Sequence, residues 1–162
     1  MRTYLDASVL IAHLYGEIHA PERFIPTHQL FTAIEEQRLE AVVTFYALQE
    51  LHAFIKNRWH PSDVNETFRT ALLELVRLPL IVVPYVERTQ LNLWRRRFDI
   101  KDSSDVFHVV AALVNDCDAL VAYDRHFLSV ADLIPAYTPE EFLALPPRAE
   151  DDNAGSERGE RE

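Results

Sequence analysis

An α/β fold, with a central parallel sheet covered by helices on both faces, is the class this sequence predicts. Three observations lead there. Short apolar runs alternate with segments of helical periodicity along almost the whole chain. The runs Leu80–Val83 and Ala119–Ala122 are apolar throughout, as strands buried on both faces are. Asp6 and Asp124 each stand where a strand should stop, at the sheet edge where open α/β folds bind ligands.

Tyr4 and Leu5 close the first strand, Asp6 follows, and Ser8 is placed to cap a helix from Val9 through Tyr15. A loop holding Pro21 and Pro26 leads to a helix over His28–Gln37 with Leu30, Phe31 and Ile34 on one face. The β-branched Val42, Val43 and Thr44 mark a second strand over Leu39–Phe45. It runs into a helix over Tyr46–Trp59, whose Ala47, Leu48, Leu51, Phe54 and Ile55 form one apolar arc with Glu50 at its border. Pro61 ends that helix and Ser62 is expected to cap the next, in which Val64, Phe68, Leu72, Leu75 and Val76 recur up to Pro79. Leu80–Val83 is the third strand, closed by Pro84, and a helix over Val86–Phe98 bears Arg95, Arg96 and Arg97. Asp102, Ser103, Ser104 and Asp105 form a helix-start signal ahead of Val106–Val114, which puts Asp105 in the first turn. Asn115–Asp118 breaks that helix before the strand Ala119–Ala122, Leu133–Tyr137 adds an edge strand, and Thr138 to Glu141 start a last helix through Leu143. From Pro146 onward apolar side chains vanish apart from Ala149 and Ala154. The expected organisation is one domain over residues 1–146 and an acidic, disordered tail over 147–162.

A 48% hydrophobic share over 162 residues suits one ordinary core, so a single fold should carry the function. No apolar run approaches the roughly 20 residues needed to cross a bilayer, and the N-terminus lacks a signal-peptide pattern, so a cytoplasmic protein is expected. Cys117, the single cysteine, has no disulfide or zinc-site partner and reads as a small buried apolar residue. The net charge of −10 disfavours binding to nucleic acid through positive potential. Residues 148–162 hold six acids against three arginines, and ions bound to core carboxylates would offset more of that charge.

If the sheet is parallel, Asp6 and Asp124 project from one edge, and two helices can bring Glu50 and Asp105 to it. Four carboxylates packed together repel unless a cation sits among them. Mg²⁺ or Mn²⁺ prefers such oxygen ligands, and either ion activates water for attack on phosphorus while stabilising the leaving oxygen. Hydrolysis of a phosphodiester follows from that chemistry. Each acid also has a structural explanation: Asp6 and Asp105 as helix-start acids, Glu50 as an exposed helix residue, Asp124 as a turn former. Only Gly16, Gly155 and Gly159 are available, too few and too scattered for a glycine-rich phosphate loop, and the seven histidines show no zinc spacing. His108 and His126 lie near candidate acids, with a core or surface role the commoner expectation.

These residues resemble the PIN-domain nucleases, in particular the compact VapC-type toxins. The resemblance spans about residues 2–137 and rests on Leu5-Asp6-Ala7-Ser8, Glu50, Asp105 and the stretch Val121-Ala122-Tyr123-Asp124-Arg125-His126-Phe127. It implies a three-layer α/β/α fold and Mg²⁺- or Mn²⁺-dependent cleavage of single-stranded RNA. Asp6, Glu50, Asp105 and Asp124 would be the metal-binding acids and Ser8 the hydroxyl supporting the first of them. It further implies a homodimer inhibited by a small antitoxin protein, and Arg95–Arg97 could guide RNA phosphates. Ala122 departs from the family, which commonly has Thr or Ser there, and a further acid often stands near His126. A missing hydroxyl would loosen the metal site. The alternatives are therefore a PIN-like binding module without turnover, or a PIN nuclease of RNA processing.

Overall fold

A computed structural model describes residues 1–95, 97 and 105–146. The expected helix-start residues Asp102, Ser103 and Ser104, the middle arginine Arg96, and the tail over 147–162 lie outside them. Five strands form one sheet: β1 (Arg2–Leu5), β2 (Glu40–Thr44), β3 (Leu80–Val83), β4 (Ala119–Val121) and β5 (Ala136–Tyr137), in the order β3-β2-β1-β4-β5 with every pairing parallel. The helices between them are α1 (Ala7–His19), α2 (Pro21–Glu35), α3 (Phe45–Lys56), α4 (Val64–Val76), α5 (Arg88–Trp94), α6 (Asp105–Val114) and α7 (Pro139–Leu143).

Alternation along the strands builds two cores. Leu5, Ala41, Val43, Ala119 and Val121 face α1, α2, α3, α4 and α7, whereas Tyr4, Val42, Leu120 and Ala122 face α6. The result is the expected three-layer α/β/α sandwich. Because β1, β2 and β3 wind outward in one direction and β4 and β5 in the other, the chain reverses between β1 and β4. That reversal opens the crevice beyond the carboxyl ends of these two strands.

The structure departs from the sequence reading at several points. Asp6, not Ser8, is the N-cap of α1, and its carboxylate accepts from the Ser8 N–H. The segment with Pro21 and Pro26 is helical: Pro21 starts α2, where its missing N–H costs nothing, and Pro26 lies inside the helix. Ser62 does not cap α4, whose N-cap position is Asp63; its hydroxyl bonds His60 and Asp63 instead. β3 is not buried on both faces, for it is an edge strand with Ile81 37% and Val82 48% exposed. The stretch Arg125–Val130 is a 3₁₀ turn, and β5 is only two residues long. Cys117 is partly buried, and burial pushes its thiol up to about 12.

His13 on α1 stacks on Phe31 with ring centroids 3.7 Å apart, and its Nδ1 has no hydrogen-bond partner among the described residues. Burial, with His28 nearby, lowers its pKa from 6.5 to about 4. The unfolded chain therefore binds a proton at this residue between those values and the native state does not, so stability falls as pH drops through that window. Urea titrations at pH 7 and pH 4 should give a stability difference smaller in His13→Leu than in wild type, by on the order of 3 kcal/mol at most. The edge placement of β3 has its own check in thermal and chemical melts: Val121→Ala should cost about 2 kcal/mol and Val82→Ala less than about 1.

Candidate metal centre at the switch point

Asp6 is placed by the turn from β1 into α1. Its backbone N–H donates to the Val121 carbonyl of β4, which draws the tip of β1 against its neighbour. Its carboxylate accepts from the Ser8 N–H at 2.9 Å and from the Ser8 hydroxyl at 2.5 Å. That same Ser8 oxygen accepts the Tyr123 N–H at 3.0 Å, so one hydroxyl ties the start of α1 to the end of β4. Asp6 is 6% exposed. Burial raises its pKa, and the negative charge of Glu50 adds to that; the positive charge on His108 and the two bonds from Ser8 oppose it.

Glu50 comes from the second turn of α3, which starts where Thr44 ends β2 and accepts the Ala47 N–H. Its carboxylate meets His108 of α6, with Oε1 3.1 Å from Nε2. His108 is 1% exposed; its Nδ1 lies 2.7 Å from the Tyr4 hydroxyl, which in turn lies 2.7 Å from the Thr44 hydroxyl. Asp6 Oδ1 stands 3.7 Å from the same Nδ1. Burial alone would lower the His108 pKa, but the bond to Glu50 and the charges of Asp6, Glu50 and Asp105 raise it above its ordinary value. Asp6, Glu50 and His108 each offer a ligand atom, all within 4.8 Å of one another.

Asp105 opens α6 and is buried, as a carboxylate at a helix start can be. Asp124 follows β4 and caps the 3₁₀ turn through the His126 N–H at 2.9 Å. The exposed ring of His126 links the two, its Nδ1 3.5 Å from Asp105 and 3.3 Å from Asp124. The four acids thus fall into two histidine-linked pairs, and among the described residues only Asp6 and Glu50 join the compact three-residue group. Of the arginine triplet, Arg95 caps α5 and the Arg97 guanidinium lies over Trp94.

Reading the chain undervalued three residues. His108 is buried, as a core residue is, but its ring also touches Glu50; its one signal is that no other side chain in Val106–Val114 is polar. Tyr4 and Thr44 read as ordinary strand residues, and nothing local reveals that their hydroxyls meet.

Taken together, the crevice and its carboxylates define an α/β protein with an acidic centre at the switch point of its sheet. The sequence profile described as PIN domain matches residues 2–126, and the chain belongs to the PIN-domain family. Solved structures agree in fold. VapC20 of Mycobacterium tuberculosis, described as a sarcin-ricin loop cleaving toxin, is 14% identical with a TM-score of 0.60 over 82% of this chain and 97% of its own. FitAcB of Neisseria gonorrhoeae is 16% identical with a TM-score of 0.61 over 85% and 98%, and VapBC2 of Rickettsia felis, bound to a promoter DNA fragment, 12% with 0.59 over 85% and 98%. No curated protein matches the sequence. Among the described residues, no helix is long and apolar enough to cross a membrane.

The buried charge of Asp6 has a measurable consequence. A carboxylate whose folded pKa is raised destabilises the native state at neutral pH, and the penalty fades as pH falls through that pKa and the group is protonated. Asn at this position keeps an oxygen to accept both Ser8 bonds without the charge. In metal-free buffer at pH 7, Asp6→Asn should melt no lower than wild type, and any gain should shrink as the pH is brought toward 4; calorimetric scans across pH check both.

Proposed function

We propose that this protein is a divalent-metal-dependent endoribonuclease that cuts single-stranded RNA, and that it is the toxin of a toxin-antitoxin pair. The observation that carries the reading is the convergence of Asp6 and Glu50, from two different strand–helix junctions, on one compact group beside the switch point. The donor set fits a hard cation: carboxylate oxygens, one of them buried and raised in pKa by that burial and by its neighbour's charge. Asp6 and Glu50 would hold Mg²⁺ or Mn²⁺, with Asp105 and Asp124 as the further acids of the same edge. When bound, the ion supplies Lewis acidity and neutralises charge at the scissile phosphodiester.

The chain's own residues prepare that place. Ser8 keeps Asp6 oriented and binds the β4 tip to it. The buried hydroxyls behind His108 hold the ring that faces Glu50. His126 sits between Asp105 and Asp124, its Nδ1 3.5 Å from one carboxylate and 3.3 Å from the other. The choice of RNA is supported by the likeness to a toxin that cleaves the sarcin-ricin loop. A small antitoxin as partner is supported by fold neighbours solved as VapBC and FitAB; the homodimer rests on the resemblance to the compact toxins alone. Ala122, buried where the family commonly bears a hydroxyl, favours the second reading of a binding module without turnover.

Purified protein should cleave single-stranded RNA when Mn²⁺ or Mg²⁺ is added and stop when the ion is chelated. Asp6→Asn should lower the rate more than about 100-fold, since even groups behind metal ligands cost 10–100-fold, while its circular dichroism spectrum stays native. Absence of cleavage alongside measurable Mn²⁺ binding would favour the module; equal cleavage by Asp6→Asn would exclude the enzyme reading.

A further inference from the structure

We infer that His108 is a positioning residue for Glu50 and not a ligand of the cation, holding the carboxylate through an Nε2–H whose ring is clamped from behind by Tyr4 and Thr44. The inference rests on the metal-centre reading given above. By distance alone His108 belongs to the same three-residue group as Asp6 and Glu50, and a buried imidazole among carboxylates would ordinarily be counted as a third ligand. Its hydrogen bonds argue otherwise.

Both ring nitrogens are engaged. Nε2 lies 3.1 Å from a Glu50 oxygen that can only accept when ionised, so Nε2 must carry the proton. Nδ1 lies 2.7 Å from the Tyr4 hydroxyl. In the neutral ring the bonds run one way: the Ala47 N–H donates to Thr44, Thr44 to Tyr4, Tyr4 to Nδ1, and Nε2–H to Glu50. In the charged ring Nδ1–H donates to Tyr4 instead, and Nε2–H still donates to Glu50. The contact to Glu50 is thus the same in either form; only the tautomer with a bare Nε2 is excluded, and that is the one a ligand at Nε2 would need. Packing allows the ring little rotation, since Tyr46 and Phe127 lie against it and Tyr46 is itself stacked on Phe107. Glu50, 40% exposed at its side chain and on a helix surface, has no other hydrogen bond among the described residues to fix it.

Mn²⁺ calorimetry and nitrogen-15 NMR of the full chain test this. His108→Leu should weaken Mn²⁺ binding 10–100-fold, whereas His108→Gln, whose amide can reach the same oxygen, should stay within about 10-fold of wild type. Tyr4→Phe, which keeps the ring volume and removes the clamp, should show a smaller loss than His108→Leu, and it decides the point if His108→Leu does not fold. The His108 Nε2–H resonance should persist when Mg²⁺ is saturating and should shift in Glu50→Ala without any metal. Loss of that proton on adding Mg²⁺ would make His108 a ligand and overturn the inference. So would unchanged Mn²⁺ affinity in the folded variants, or equal losses in His108→Leu and His108→Gln. Should wild type bind no Mn²⁺, the metal-centre reading fails, and the Glu50→Ala shift in metal-free protein alone then decides whether His108 positions Glu50.

Discussion

A phenol buried at the centre of the sheet constrains the rest of this structure. Tyr4 is fully buried, and its hydroxyl would cost roughly 1–3 kcal/mol if left without a partner. Desolvation holds its pKa well above the ordinary value, so it stays a neutral donor and acceptor. Its partners come from two other elements, Thr44 at the end of β2 and His108 on α6. Satisfying one hydroxyl therefore fixes how far α6 lies along the sheet. It also sets the reach of His108 toward α3, although α3 packs its buried Ala47, Leu51 and Ile55 into the opposite core.

The acids obey a related logic. Asp6, Asp105 and Asp124 each stand at the start of a helical segment, where exposed backbone N–H groups favour negative charge. A parallel sheet puts such starts along a single edge. The local reason for each acid and the collective reason for all of them are compatible: the helix ends tolerate the carboxylates, and the winding of the sheet gathers them. Glu50 is the exception, lying in the second turn of its helix and meeting the His108 ring of α6.

Much of the fold was legible because the alternation of apolar runs and helical periodicities survives any error of a few residues at the boundaries. The buried runs around Val43 and Leu120 and the capping box at Thr138 read directly. Proline misled at Pro21 and Pro26, since a proline that opens a helix and one that breaks it are the same residue in sequence. Leu80–Val83 misled for another reason: apolar composition cannot say whether a strand is central or at the edge, which depends on strand order. For the site, Asp6 and Asp124 announced themselves as strand-tip acids. The part played by His108 could not be read, because it arises from a contact between residues 58 positions apart and from two hydroxyls that meet only in the folded sheet.

The exposed side of β3 leaves a row of backbone groups open beside Ile81 and Val82, and an open apolar strand is a template on which a further chain can pair. Here Pro79 and Pro84 bracket it. Neither can donate to a ladder, so the template is limited to the four residues Leu80–Val83. Two imino acids thus bound the open ladder at the edge opposite β5.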